Sequence, residues 1–421
     1  MARTHFGTDG VRGIVGSSLT LDLVERLGRA STLWCGRGRV FVGRDTRGSG
    51  PELEQALARG IVEAGGVVVL GGVLPTPAVA LLAQDLGIVI SASHNPPEYN
   101  GVKFFDAEGH KLTDELEEKI EALLDTPGPG GGSVEVVESA VDGYVEHIVE
   151  HFGTDLSGVR IAVDCANGAF SGIAPGVFER LGAHVTTIAN QPDGSNINVG
   201  CGATDLALLQ EVVRGDGFDL GVAFDGDGDR MLAVDETGAA IDGDQIVAVI
   251  ALALGVDTVA VTSMTNLGFH RLMADHGVRV LTTDVGDRHV LEALRSEGAV
   301  LGGEQSGHVI YLDGHVTGDG LAAALLLCKS LGGRTLSQAA AVMPRFPQVL
   351  QNVGAPRASL SPAVLSEVEL VNEQLAGRGR VLVRPSGTEP VVRVLAEAET
   401  AEEAEALCGR VAKLVRQGLG S

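Results

Sequence analysis

Short runs of β-branched and apolar residues alternate along this chain with segments whose apolar positions recur at helical spacing, a pattern that predicts an α/β fold. "RVFVGRD" (39–45), "GVVVL" (66–70) and "LGIVIS" (86–91) read as strands, with a helix over 51–64 between the first two. Another helix is predicted from Glu115 to Leu124, capped by Thr113 and opening on an acidic turn that suits the helix dipole. "TPGPGGGS" (126–133) predicts a flexible break, after which the helical "VDGYVEHIVEHF" leads into the strand "GVRIAVDCANG" (158–168). "FDLGVAFDGDGDR" (218–230) predicts a strand entering an acidic loop, and "DTVAVTSMTN" (257–266) opens a further α/β stretch. From Pro356 the pattern becomes a helix, two strands at 379–387 and 390–398, and a closing helix. Ala404, Leu407, Cys408, Val411 and Leu414 share one face of that last helix, as core packing requires. The expected domains are 1–150, 151–250, 251–354 and 355–421.

Length supports that division, because 421 residues exceed one ordinary core. Hydrophobic residues at 44% and charged residues at 20% are a globular balance. A formal charge of −24 argues against a nucleic-acid or anionic membrane partner, and an anionic substrate therefore needs a locally basic pocket. The five cysteines are scattered, with no CxxC pair, and the apolar runs are too short to span a bilayer. The opening "MARTHFGTDGVRG" has no signal-like apolar stretch, so the expectation is a cytoplasmic protein without a membrane partner.

The chemistry concentrates in a few loops. In "DGDGDR" (225–230), Asp225, Asp227 and Asp229 alternate with glycines that let the loop curl, an oxygen-rich set suited to a hard divalent cation. An EF-hand would place its twelfth ligand at Glu236, but position six is Arg230 rather than glycine and the flanks read as strands. Arg230, directly after the carboxylates, implies an anion beside the cation. "RPSGTEP" (384–390) offers a guanidinium, hydroxyls and glycine-freed amides, the parts of a phosphate cradle or of a plain hairpin turn. "GGEQSGH" (302–308) sets Glu304, Ser306 and His308 at alternate positions, so an extended loop would point all three one way, toward a polyol. "SASHNPPEYNGVKFF" (91–105) follows a buried strand and contains no G-x-S-x-G elbow. Phosphoryl transfer fits the set better. It needs a hydroxyl from Ser93 or Ser91, a metal at the acidic loop, arginines for the charge, and Lys103 or His308 for the proton.

With "SASHNP", "DGDGDR", "GEQSGH" and "RPSGTEP" in this order, and with "FGTDGVRG" and "GGVLPTPA" beside them, the whole chain resembles the α-D-phosphohexomutase superfamily. Gln305 together with "FGTDGVRG" resembles the phosphoglucosamine mutase branch, the phosphomannomutase/phosphoglucomutase branch tending to carry methionine there. The resemblance implies three related α/β domains with mixed sheets and a smaller α+β C-terminal domain around a central cleft. It makes Ser93 the phosphorylated serine, and Ser93, Asp225, Asp227 and Asp229 the Mg²⁺ ligands. Arg12, Lys103, Arg230 and His308 would surround the transferring phosphoryl group. Glu304 and Ser306 would hold sugar hydroxyls, and Arg384, Ser386, Gly387, Thr388 and Arg393 the other phosphate. The implied reaction interconverts glucosamine 6-phosphate and 1-phosphate, with a hexosamine or glucose 1,6-bisphosphate as intermediate and activator, in a protein that is a homodimer by family expectation. A glucose or mannose phosphate mutase, a Mg²⁺-dependent phosphatase and a non-catalytic sugar-phosphate-binding protein are the alternatives. Leu21, where proline is expected, and His289, where tyrosine is usual, depart from the pattern outside its chemical motifs.

Overall fold

A computed structural model describes residues 4–7, 9–354, 360, 362–385 and 391–419. The chain forms two compact units, Met1–Ser263 with Arg279–Ala341, and Met264–Val278 with Val342–Ser421.

Three mixed sheets build the first unit. The six-stranded sheet contains β1 (Val11–Ile14), β2 (Arg39–Arg44), β3 (Val67–Val73), β4 (Leu86–Ile90), β5 (Tyr99–Phe105) and β6 (Ser133–Val136), in the order β1-β5-β4-β2-β3-β6. β5 runs antiparallel to β1 and β4, and the other pairs are parallel. Every residue of β4 is buried, as the continuous apolar run "LGIVI" demands of a central strand. The helices Leu21–Trp34 and Gly50–Glu63 pack closely against one another because a glycine of each faces the other's backbone. A Cβ on Gly60 would lie 1.9 Å from the Glu25 carbonyl, and one on Gly28 would lie 2.5 Å from that of Leu57.

The second sheet contains β7 (Arg160–Asp164), β8 (His184–Ile188), β9 (Leu220–Phe224), β10 (Met231–Asp235) and β11 (Ala240–Ile241), in the order β11-β10-β9-β7-β8. The third contains β12 (Thr258–Thr262), β13 (Arg279–Thr283), β14 (Leu301–Gly303) and β15 (Val309–Tyr311), in the order β13-β12-β14-β15. In the other unit, β16 (Gln348–Gly354), β17 (Arg380–Pro385) and β18 (Val391–Glu397) form an antiparallel sheet in the order β16-β18-β17, with the helices Pro362–Leu375 and Ala401–Leu419. Ala404, Cys408 and Val411 are buried against its strands, while Leu407 and Leu414 of the same stripe are half-buried and Ala412 and Val415 complete the face.

Some expectations are corrected. The glycine-rich 126–133 segment is laced down rather than a flexible break. Gly130 and Gly132 donate to the carbonyls of Glu63 and Val62, and the chain then enters β6 of the first sheet. Backbone hydrogen bonds to a helix end satisfy groups that a free linker would leave to water. Thr113 precedes the helix Asp114–Glu121 but makes no side-chain cap bond. Residues 304–307 form a turn rather than an extended loop. Gly307, at φ 90°, lets its N–H reach the Glu304 carbonyl, so Glu304 and His308 become opposite feet of a hairpin and Ser306 an exposed tip. Among the described residues, no helix is long and apolar enough to cross a membrane.

Candidate phosphoryl-transfer site

Ser93 follows β4 in a loop whose shape is set by a buried arginine. Arg47 is 1% exposed, pairs with Asp45 at 2.9 Å, and donates to the carbonyls of Ser93 (2.9 Å), Asn95 (2.8 Å), Tyr99 (3.0 Å) and Pro96. Asn198 also donates to the Ser93 carbonyl, at 2.9 Å. These bonds hold Ser93 at φ 52°, a left-handed conformation that costs a non-glycine residue on the order of 1 kcal/mol. The two serines of the loop separate cleanly. Ser91 Oγ donates to Asp45 at 2.6 Å and accepts the Ser93 N–H at 2.9 Å. Ser93 Oγ donates to Asp225 Oδ2 at 2.5 Å.

Asp225, Asp227 and Asp229 sit between β9 and β10 and are all buried, each offering an oxygen within 4.8 Å of the others. The hairpin approaches the serine loop so closely that a Cβ on Gly226 would lie 2.7 Å from the Ser93 carbonyl. Thr76 donates its hydroxyl to Asp227 at 2.6 Å and its amide to the Asp227 carbonyl at 2.8 Å. Burial, with Asp227 and Asp229 beside it, pushes the Asp225 carboxyl well up. Asp227 Oδ1 and Asp229 Oδ1 are buried with no hydrogen-bond partner. Concentrated buried negative charge with unsatisfied oxygens fits a hard dication. Glu236 instead accepts from the Ser337 amide at 3.2 Å and from its hydroxyl, which excludes the EF-hand arrangement.

Cations surround the carboxylates. Lys103 Nζ on β5 lies 2.8 Å from Asp227, 3.4 Å from Asp229 and 3.2 Å from Asp9. Burial opposes its charge, but those three carboxylates outweigh burial and hold the ammonium above its ordinary range. Arg12 on β1 pairs with Asp9. Arg230 donates its backbone N–H to Asp225 at 3.2 Å and carries its guanidinium 3.8 Å from Asp229. His308 lies 3.7 Å from Asp229 and 3.5 Å from Asp287; burial lowers its basicity, but the two carboxylates raise it further. His94, next to Ser93, is pushed down to about 4 by burial and by Arg230 and Arg12. Glu304 Oε1 accepts the Gly286 N–H at 3.1 Å.

Ser93, Lys103, Arg12, Arg230, His308, Glu304 and the aspartates thus meet in one unit. In the other unit, Arg384 on β17 and Arg393 on β18 are directly opposite in register. Ser386, Gly387 and Thr388 lie outside the described residues. Several residues of the first unit's site carry too little pattern to be picked out along the chain: Asp9, Asp45, Thr76, Lys111, Asn198 and Asp287. Arg47 is visible there only as an arginine in a glycine-rich loop. Asp9, Asp45 and Thr76 lie inside the quoted "FGTDGVRG", "RVFVGRD" and "GGVLPTPA" without standing out there; Lys111, Asn198 and Asp287 have no local signal.

Three mixed α/β sheets, a separate antiparallel sheet-and-helix unit, and a serine hydroxyl set against a buried carboxylate triad define the class, a phosphohexomutase. The chain belongs to the phosphoglucomutase/phosphomannomutase family, whose alpha/beta/alpha domains I, II and III match residues 3–128, 142–238 and 242–346, and whose C-terminal domain matches 347–414. A phosphoglucosamine mutase of Moorella thermoacetica is 49% identical, with 95% of this chain and 96% of that protein covered. One from Streptomyces coelicolor is 47% identical, with 99% of each covered. A putative phosphomannomutase from Thermus thermophilus superposes with a TM-score of 0.81 at 28% identity, covering 98% of each chain. The N-acetylphosphoglucosamine mutase of Aspergillus fumigatus, solved in complex with GlcNAc-6P and magnesium, shares the fold at 19% identity, with a TM-score of 0.73 over 99% of this chain and 96% of that one.

Proposed function

We propose that the protein interconverts glucosamine 6-phosphate and glucosamine 1-phosphate through a phosphorylated Ser93 and a 1,6-bisphosphate. The observation that carries this reading is the Ser93 hydroxyl at 2.5 Å from Asp225, inside a ring of buried carboxylates, lysine and arginine. The high identity to phosphoglucosamine mutases over the full chain supports the amino sugar. Phospho-Ser93 gives its phosphoryl group to the free sugar hydroxyl: the serine P–O bond breaks, a sugar P–O bond forms, the hydroxyl proton passes to His308, and the Ser93 oxygen left behind takes up a proton in its place. The bisphosphate reverses its orientation and its other phosphoryl group returns to Ser93. Lys103, Arg12 and Arg230 offset the charge on the moving group, while His308 is the residue whose protonation can change. Ser93, Asp225, Asp227 and Asp229 would hold Mg²⁺, which when bound supplies positive charge to the phosphoryl oxygens. Glu304 and Ser306 hold sugar hydroxyls.

The four segments 1–150, 151–250, 251–354 and 355–421 act in this reading as domains contributing one loop each, and the protein is a homodimer. Arg384 and Arg393, with Ser386, Gly387 and Thr388, clamp the phosphate that is not reacting. Arg384 and Arg393 are register partners on neighbouring strands, so two guanidinium groups can share one phosphate. Arg384→Ala is expected to lower kcat/KM by about 10- to 100-fold, the ~1.5–3 kcal/mol of a charge-assisted bond, mainly through KM. Arg384→Lys should recover only part, since it lacks the two-pronged fork. An unchanged KM in steady-state assays would sink the clamp.

The test of the whole reading is turnover of glucosamine 6-phosphate, glucose 6-phosphate and mannose 6-phosphate side by side, with Mg²⁺ and a trace of hexose 1,6-bisphosphate. Preference for the amino sugar is expected. Equal or faster use of the neutral sugars overturns the amino-sugar assignment, steady release of inorganic phosphate points to a phosphatase, and no turnover points to a binding protein.

A further inference from the structure

We propose that Asp287 and Arg288 form a two-pronged clasp that, through Lys111, positions the proton-handling and sugar-binding residues of the third sheet against those of the first. This inference rests on the mutase reading and adds positioning residues to it. Asp287 and Arg288 are consecutive and opposite in charge, at the start of the helix Asp287–Glu297. Both reach back to the first α/β domain. Asp287 pairs with Lys111, and Arg288 pairs with Asp114 and, at 3.0 Å, with Glu117. Two adjacent side chains with opposite partners constrain sliding in a way that one ion pair does not, since a shift that favours one prong strains the other.

The clasp touches the site at both ends. Lys111 Nζ lies between two carboxylates, 2.7 Å from Asp9 on one side and bonded to Asp287 on the other, with a side chain only 8% exposed. Asp9 in turn holds Lys103 at 3.2 Å and pairs with Arg12. Asp287 lies 3.5 Å from His308 Nε2, and the preceding Gly286 donates its N–H to Glu304 at 3.1 Å. The line Lys103–Asp9–Lys111–Asp287–His308 therefore joins two of the proposed phosphoryl-site residues through three groups that the chemistry does not use. A buried cation shared by two carboxylates is costly to half-remove, because each carboxylate left behind is uncompensated. Misplacing reacting groups by about 1 Å can cost about 10²-fold in rate.

The test compares Lys111→Met, Lys111→Arg, Arg288→Met and Asp287→Asn in the full chain, with far-UV circular dichroism as the folding control. Lys111→Met should lower kcat by about 10- to 100-fold with KM for glucosamine 6-phosphate within about twofold, and Lys111→Arg should regain most of the loss. Adding Asp287→Asn to Lys111→Met should cost little more, as expected of residues acting as one unit. Amide exchange at Gly286 and across 304–308 should accelerate in both Lys111→Met and Arg288→Met. Unchanged exchange there in both folded variants overturns the clasp whatever the activity. Wild-type kcat in Lys111→Met, or equal losses in the Met and Arg variants, overturns the positioning role. A wild type inert toward every sugar overturns the functional reading instead, and the exchange experiment then decides the clasp by itself.

Discussion

Ser93→Ala is expected to abolish sugar-phosphate isomerisation, by about 10⁴-fold or more, while leaving the protein folded. The size follows from the geometry. Ser93 Oγ is the loop hydroxyl that points at the carboxylate triad, whereas Ser91 Oγ is committed to Asp45 and to the Ser93 amide. The loop itself is held by Arg47 and Asn198 through main-chain carbonyls, none of which the substitution removes. Alanine is slightly less tolerant than serine of φ 52°, and the substitution also takes a donor from buried Asp225, so a fall in thermal midpoint with the fold retained is expected. Ser91→Ala is the informative partner. It strips a donor from buried Asp45 and an acceptor from the Ser93 amide, which should cost about 1–3 kcal/mol of stability yet leave measurable turnover. Steady-state rates, circular dichroism and phosphate incorporation from a hexose 1,6-bisphosphate check both variants. An inactive Ser91→Ala beside an active Ser93→Ala would reverse the assignment.

Removal of the divalent ion should be almost as severe, and it has a second readout in stability. Three buried carboxylates lie within 4.8 Å of one another, and two of them keep an oxygen without a hydrogen-bond partner despite Lys103, Arg230 and His308 nearby. Burial and its two neighbours push the Asp225 carboxyl up, so the ion-free site resists full ionisation. A ligand that binds only the folded form stabilises it by about 2.7 kcal/mol at a hundredfold excess over its Kd. Chelation should therefore bring turnover to background and lower the thermal midpoint, and Mg²⁺ should restore both. Asp225→Asn is expected to raise the midpoint of the ion-free protein, because it relieves repulsion, and to erase the Mg²⁺-dependent increment. A wild-type midpoint indifferent to millimolar Mg²⁺ would remove the metal site from the reading.

The expected effects differ because the residues differ in how much of their role is local. The acidic loop is recognisable from the chain alone, since three carboxylates at alternate positions between glycines converge within a single hairpin. The strands are legible for a related reason: buried runs such as "LGIVI" have few other ways to hide from water. The 304–308 loop is legible in composition but not in shape, because Gly307 turns it back where alternation of polar residues predicts an extended path. The glycine-rich 126–133 segment misleads for the opposite reason. Its glycines serve close approach to a helix end rather than freedom, and only the packing partner reveals the difference.

By itself, then, the sequence determined the α/β class, the order of the chemical loops, the acidic triad and the presence of a polar serine loop, all of which depend on neighbours a few residues apart. Tertiary structure alone decided which serine faces the carboxylates, because that choice depends on Asp45 and Asp225, each far from the loop in the chain. It also decided that Arg47 is buried and holds the serine loop through its carbonyls. The clasp belongs to the same category. Lys111 and Asp287 are 176 residues apart, and no spacing rule links two charges at that distance until the loop and the helix that carry them are folded side by side. Local pattern reports the groups a loop can offer; long-range packing selects the partner, the burial and hence the charge state that make one of them act.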